Sequence, residues 1–81
     1  MTICQITYLP FFTTNVYEEV DEAIAFIEEY DLEVRVGDLS TTVKGDREKV
    51  LAMLSGLYKK MDDREKQFRL HVELLSSKDY S

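Results

Sequence analysis

The sequence predicts an α+β fold, a ferredoxin-like βαββαβ sandwich with a four-stranded antiparallel sheet and both helices on one face. Three observations predict it. The apolar period switches along the chain in the order strand, helix, strand, strand, helix, strand. Each helical segment carries an amphipathic stripe that needs a sheet to bury it, and right-handed crossovers leave few other ways of doing so. The 81 residues, with only three Gly and one Pro, hold about one small domain with no linker or repeat. The expected boundaries are one ferredoxin-like domain over residues 1–76 and a loose polar tail over 77–81.

Each element has a local reason. Ile3 to Leu9 is rich in β-branched and aromatic residues and is stopped by Pro10, so it reads as a strand. Asn15 is a candidate N-cap, with Glu18 three residues later to complete a capping-box-like pair. Val16, Val20, Ala23, Ile24 and Ile27 then recur at helical spacing, with Glu18, Glu19, Asp21 and Glu22 off the stripe. Leu32 to Val36 alternates strictly, Gly37-Asp38 supplies turn chemistry, and Ser40 to Lys44 forms the return strand of a hairpin. Gly45 ends that strand, and Asp46 is placed to cap a second helix with the stripe Val50, Met53, Leu54, Leu57 and Met61. The stretch Asp62 to Lys66 reads as a charged, solvated connection. Phe68 to Leu75 alternates again, with Phe68, Leu70, Val72 and Leu74 on one face and Arg69, His71 and Glu73 on the other.

Charge and composition exclude several classes. Sixteen acidic against ten basic residues give a net charge of −6, which offers no basic surface for nucleic acid. The apolar runs are far too short to span a bilayer, and no signal peptide opens the chain, so no membrane association is expected. A single Cys permits no internal disulfide and fits a reducing cytoplasm. One Cys and one His cannot fill a tetrahedral zinc site, and neither a metal nor a cofactor is expected.

Two helices cover one side of the sheet, so the other side faces water, a ligand or another subunit. Alternation places Glu33, Arg35, Ser40, Thr42, Lys44, Arg69, His71 and Glu73 there, with Gln5 and Thr7 from the first strand. The faces of Tyr8 and Thr41 stay open at this level: Tyr8, Phe11 and Phe12 serve equally as core and staple residues, and Thr41 points at the helices by alternation. Catalytic constellations are thin. Cys4 and His71 are the one nucleophile–base combination, but a strand-borne Cys is more often an inert buried residue. Glu33 and Glu73 would pair as carboxylates only if their strands met. No GxGxxG, Walker, HExxH or GxSxG motif occurs. This favours a non-enzymatic binding or assembly protein with no catalytic residues.

Short motifs refine that reading. Tyr8-Leu9-Pro10 closes the first strand, Ser40-Thr41-Thr42-Val43-Lys44-Gly45-Asp46 spans the third strand and its turn, and His71-Val72 leads to Ser76 at the end of the fourth. In these segments and in element order the chain resembles the thiamine- and hydroxymethylpyrimidine-binding family of small ferredoxin-like proteins. It departs from the family pattern at Phe11-Phe12, where a small residue or Gly is frequent, and at Lys44, where an acidic residue is. The resemblance implies a small-molecule binder that assembles as a homo-oligomer, dimer or tetramer, through its sheets, with the ligand near a subunit interface. The residues that it and the ligand's chemistry point to are Gln5, Tyr8, Thr41, Thr42, His71 and Glu73. Tyr8 would stack on the cationic thiazolium or the pyrimidine, Glu73 would accept from the exocyclic amine, and Thr41, Thr42 and Gln5 would supply hydrogen bonds. An acidic chain favours the unphosphorylated cation over its diphosphate. The alternative is a structural or regulatory assembly module of the same fold with no small ligand.

Overall fold

The computed structural model describes residues 1–64 and 66–78. The elements run β1 (Thr2–Pro10), α1 (Val16–Glu28), β2 (Glu33–Val36), β3 (Thr41–Gly45), α2 (Arg47–Asp62) and β4 (Phe68–Ser76). All pairings are antiparallel, in the spatial order β2-β3-β1-β4. This is the ferredoxin-like α+β arrangement that the periodicity predicts, with element ends within one or two residues of the expected ones. Beyond β4 the Ser77 amide donates to the Met1 carbonyl at 3.0 Å, and residues 79–81 of the expected tail lie outside the described residues.

The register decides the faces, because residues directly opposite in a ladder share one. Cys4 sits between Val43 and Leu74, and Ile6 between Thr41 and Val72. Cys4, Ile6 and Val43 are buried and form the core with Ala23 and Ile27 of α1 and Val50, Met53, Leu57 and Met61 of α2. Every buried strand residue belongs to β1 or β3, the two central strands. Val36, Val72 and Leu74 point to the helix side as alternation requires, yet stay 52%, 38% and 52% exposed, because the helices cover Val34 of β2 and Phe68 and Leu70 of β4 but stop short of these positions.

The second helix is capped as expected: the Asp46 side chain accepts from the Glu48 amide at 3.1 Å, satisfying one of the orphan N–H groups of the first turn. Asn15 occupies the N-cap of α1 without a side-chain bond to the helix backbone. Its amide instead donates to the Glu18 carboxylate, so the expected pair forms between side chains. Phe12, in the loop between β1 and α1, takes a φ of 54° while 91% exposed. That left-handed conformation costs a non-glycine residue roughly 1–2 kcal/mol.

Three sequence expectations need correction in this region. Val16 is 45% exposed, whereas Glu19, read as a solvent-face residue, is buried at 4%. The apolar stripe alone did not show this because basic residues from beyond α2 close over it: Arg64 lies 3.4 Å and Lys66 3.7 Å from its Oε1. Arg64 also meets Glu22 at 2.9 Å, and Lys60 reaches Glu22 at 3.7 Å. The charged stretch after α2 is therefore not simply solvated; it ties the end of α2 to α1. The Thr13 hydroxyl, with help from the Lys66 and Arg64 charges and against the cost of burial, holds the Glu19 carboxyl below its ordinary range.

Three outcomes follow from this packing. Asp46→Ala should lower unfolding free energy by about 1 kcal/mol in a urea titration. Met53→Ala, which empties a fully buried site, should cost roughly 2–5 kcal/mol. Because the folded carboxyl of Glu19 is depressed, its stabilisation is present above the ordinary value of 4.5 and is lost as pH falls below it. Glu19→Gln should therefore flatten the acid limb of the stability–pH profile, read from melting temperatures across that range.

Candidate ligand site

The sheet has one face turned away from the helices, and β1, paired with β3 on one side and β4 on the other, carries the middle of it. Gln5 stands between Thr42 and Glu73, and Thr7 opposite His71. The Gln5 amide donates to the Ser40 hydroxyl at 2.8 Å, and the Thr7 hydroxyl lies 3.4 Å from the Leu39 carbonyl. These contacts fold the β2–β3 turn against the sheet and leave a shallow polar depression of about 570 Å³, lined by Gln5, Thr7, Ser40, His71 and Glu73 among others. Of the six candidates from the sequence, Gln5, His71 and Glu73 line this depression, and Thr42 lies beside Gln5 on the same face.

Tyr8 and Thr41 are on the other side. Thr41 shares the helix face with Ile6 and is buried at 7%, and Tyr8 packs against the core. Both line a half-enclosed cavity of about 340 Å³ between α1, the centre of the sheet and the β2–β3 turn. Ile6, Ala23, Ile27 and Leu57 are buried members of its wall, while Tyr17, Asp38 and Leu39 are exposed and stand at its mouth. The Tyr8 ring also lies 5.5 Å from that of Phe68. Burial, followed by the Glu19 charge, pushes its phenol pKa upward, so the hydroxyl stays protonated and able to donate. The six candidates thus form two groups separated by the thickness of the sheet.

The turn residues Asp38 and Leu39 belong to the site by geometry, but Asp38 was read only as turn chemistry and Leu39 was given no role. The one available signal was Leu39, an apolar residue left outside both strands of the hairpin and 88% exposed here. Nucleophilic chemistry by Cys4 and His71 is not assembled: Cys4 is fully buried on the helix face, and His71 lies on the opposite face. Burial pushes the Cys4 thiol up to about 11, far from the thiolate a nucleophile requires. Glu33 and Glu73 sit on β2 and β4, the two edges of the sheet, and do not pair.

The architecture and the cavity define a small ferredoxin-like α+β protein with a ligand-sized, largely apolar recess under its first helix. The chain belongs to the thiamine-binding protein family, whose model matches residues 4–75. Solved structures of the same fold include a hypothetical protein from Methanocaldococcus jannascii, at 18% identity and a TM-score of 0.85, covering 99% of this chain and 84% of that one. A candidate thiamine biosynthesis/salvage protein from Thermotoga maritima is similar at 23% identity and a TM-score of 0.85, over 94% of this chain and 83% of its own. A Streptococcus pneumoniae protein matches at 14% identity and a TM-score of 0.84, covering 95% and 87%. No curated protein sequence matches the chain. Among the described residues no helix is long and apolar enough to cross a membrane.

The state of Cys4 is directly measurable. A thiol-reactive chromophore at neutral pH should find essentially no free thiol in the folded protein and one per chain after denaturation. Fast labelling of the native protein would contradict the burial.

Proposed function

We propose that this chain binds thiamine or its hydroxymethylpyrimidine part without transforming it, and that the ligand enters the cavity between α1 and the β2–β3 turn. Family membership supports the ligand class, and the single observation that carries the proposed location is the cavity itself. Small-molecule sites are concave, mostly apolar and furnished with a few polar groups, with volumes of roughly 300–1,000 Å³. The recess of about 340 Å³ has an aliphatic wall, the Tyr8 ring, the Thr41 hydroxyl and, at the mouth, Tyr17 and the Asp38 carboxylate. A flat aminopyrimidine suits the apolar interior, where Thr41 exchanges hydrogen bonds with ring nitrogens or the amine. The permanently cationic thiazolium suits the mouth, between the Asp38 carboxylate and the Tyr17 ring face. A diphosphate has no cationic side chain to meet among the wall residues, so the unphosphorylated form is the preferred ligand. The polar depression on the open face is the surface against which a second copy of the chain packs in this reading.

Titration calorimetry with thiamine, hydroxymethylpyrimidine and thiamine diphosphate tests this. Saturable thiamine binding that weakens with the diphosphate is expected. Thr41→Val should weaken binding roughly three- to tenfold, the worth of one lost hydrogen bond. Loss of binding in Glu73→Ala with Thr41→Val unaffected would move the site to the open face. Absence of heat with all three compounds would overturn the ligand assignment.

A further inference from the structure

Exposed apolar side chains gather at the mouth of the recess. Leu9 of β1, Val16 and Tyr17 of α1, Val36 of β2 and Leu39 of the β2–β3 turn all border it and all stand exposed, Tyr17 at 87% and Leu39 at 88%. The groove of about 360 Å³ where α2 parts from β4 has one such side chain, Tyr58. Apolar groups collected round a concavity mark a surface that something covers. On one rim, Val16 and Tyr17 open a 13-residue helix, a fixed element. On the other, Leu39 belongs to the turn 37–40, carried by an edge strand that pairs only with β3. The turn closes on itself where the Gly37 amide donates to the Ser40 carbonyl at 2.8 Å. Among the described residues, two side-chain hydrogen bonds tether it to β1. The Gln5 amide donates to the Ser40 hydroxyl at 2.8 Å, and the Thr7 hydroxyl to the Leu39 carbonyl at 3.4 Å, near the long limit for such a bond. Both donors stand on the open face of the sheet, away from α1.

We propose that the β2–β3 turn is a lid over the recess, which closes by carrying Leu39 onto Tyr17 and Val16, and that Gln5 and Thr7 are the latch that holds it back. Two opposed effects of similar size act on the turn. Closure removes the Leu39 and Tyr17 side chains from water. It also pulls Ser40 and Leu39 away from Gln5 and Thr7, whose exposed hydrogen bonds are individually modest because water replaces them. A segment with few buried contacts, held by exposed bonds, is one that opens and closes locally while the core stays folded. What the lid encloses rests on the reading of the recess as the ligand site. A ring bound beneath it adds a third apolar surface to Leu39 and Tyr17, so an occupied recess favours the closed position. Closure then excludes water from the Asp38 carboxylate and the cation beside it, and slows departure of the ligand. The motion itself belongs to the free chain and does not depend on which ligand is bound.

Disulfide trapping tests it. The double variant Tyr17→Cys/Leu39→Cys alters two exposed side chains, and circular dichroism checks that it folds; Cys4 is fully buried and does not compete. A disulfide needs the two Cα atoms within about 7 Å, so its rate of formation under copper phenanthroline, read as the intramolecular product on a non-reducing gel, reports closure. Adding Gln5→Ala or Ser40→Ala should speed trapping roughly three- to tenfold, the worth of one hydrogen bond. Both together should be no faster than either, because they break the same bond. Absence of an intramolecular crosslink, or a rate that neither latch substitution changes, would overturn the lid. Thiamine is then added, with calorimetry on the wild-type chain in parallel, and should accelerate trapping. Thiamine that binds yet leaves trapping no faster would overturn the lid and keep the ligand reading. Latch-dependent trapping with no thiamine heat would keep the lid and overturn the ligand reading.

Discussion

Two helices rest on the two central strands, and that placement decides most of what this molecule can do. Cys4, Ile6, Thr41 and Val43 are the buried strand residues, and all lie on β1 and β3. The helices of 13 and 16 residues seal this strip and leave Val36 of β2 and Val72 and Leu74 of β4 without full cover. Burial of the strip provides the principal driving force for folding. The same geometry leaves a recess where α1 parts from the β2–β3 turn and a groove where α2 parts from β4.

The α1–α2 contact has its own devices. Gly56 sits inside α2, where glycine is unfavourable by about 1 kcal/mol. A Cβ there would come within 2.9 Å of the Phe26 ring and 2.8 Å of the Tyr30 hydroxyl, so its absence lets these α1-side aromatics lie against the second helix. Phe26 in turn carries Lys60 over its ring at 5.9 Å. At the other end of the helix pair, Glu19 and Glu22 gather Lys60, Arg64 and Lys66. Aromatic packing and a partly buried charge cluster together fix α1 relative to the sheet, and with it the width of the recess that its inner face lines.

The relation of site to fold is also a relation of faces. A sheet one residue thick presents alternate side chains to two different environments. Neighbours in sequence such as Thr41 and Thr42 therefore belong to different surfaces, one in the apolar recess and one beside the polar depression. A set of residues chosen by chemistry alone, hydroxyls together with an amide, a carboxylate and an aromatic ring, divides when the strand pleat is imposed on it. The β2–β3 turn touches both surfaces, with Leu39 and Ser40 bordering each, and Thr7 of β1 borders both as well.

Alternation and helical spacing in the sequence were sufficient for the order of elements, the faces of β2, β3 and β4, and the Asp46 cap, because each depends on contacts within a few residues. The Tyr8-Leu9-Pro10 and Thr-Thr to Gly-Asp segments pointed to the family whose model matches residues 4–75. What lay beyond the sequence depended on residues distant along the chain. Glu19 is buried because Arg64 and Lys66 close over it, and no helical period announces that. Tyr8 and Thr41 were assigned to the recess by the cross-strand register and by where α1 rests. Val72 and Leu74 follow the apolar pattern of a buried strand, yet they are exposed, since a local pattern encodes which way a side chain points and only tertiary packing supplies what covers it.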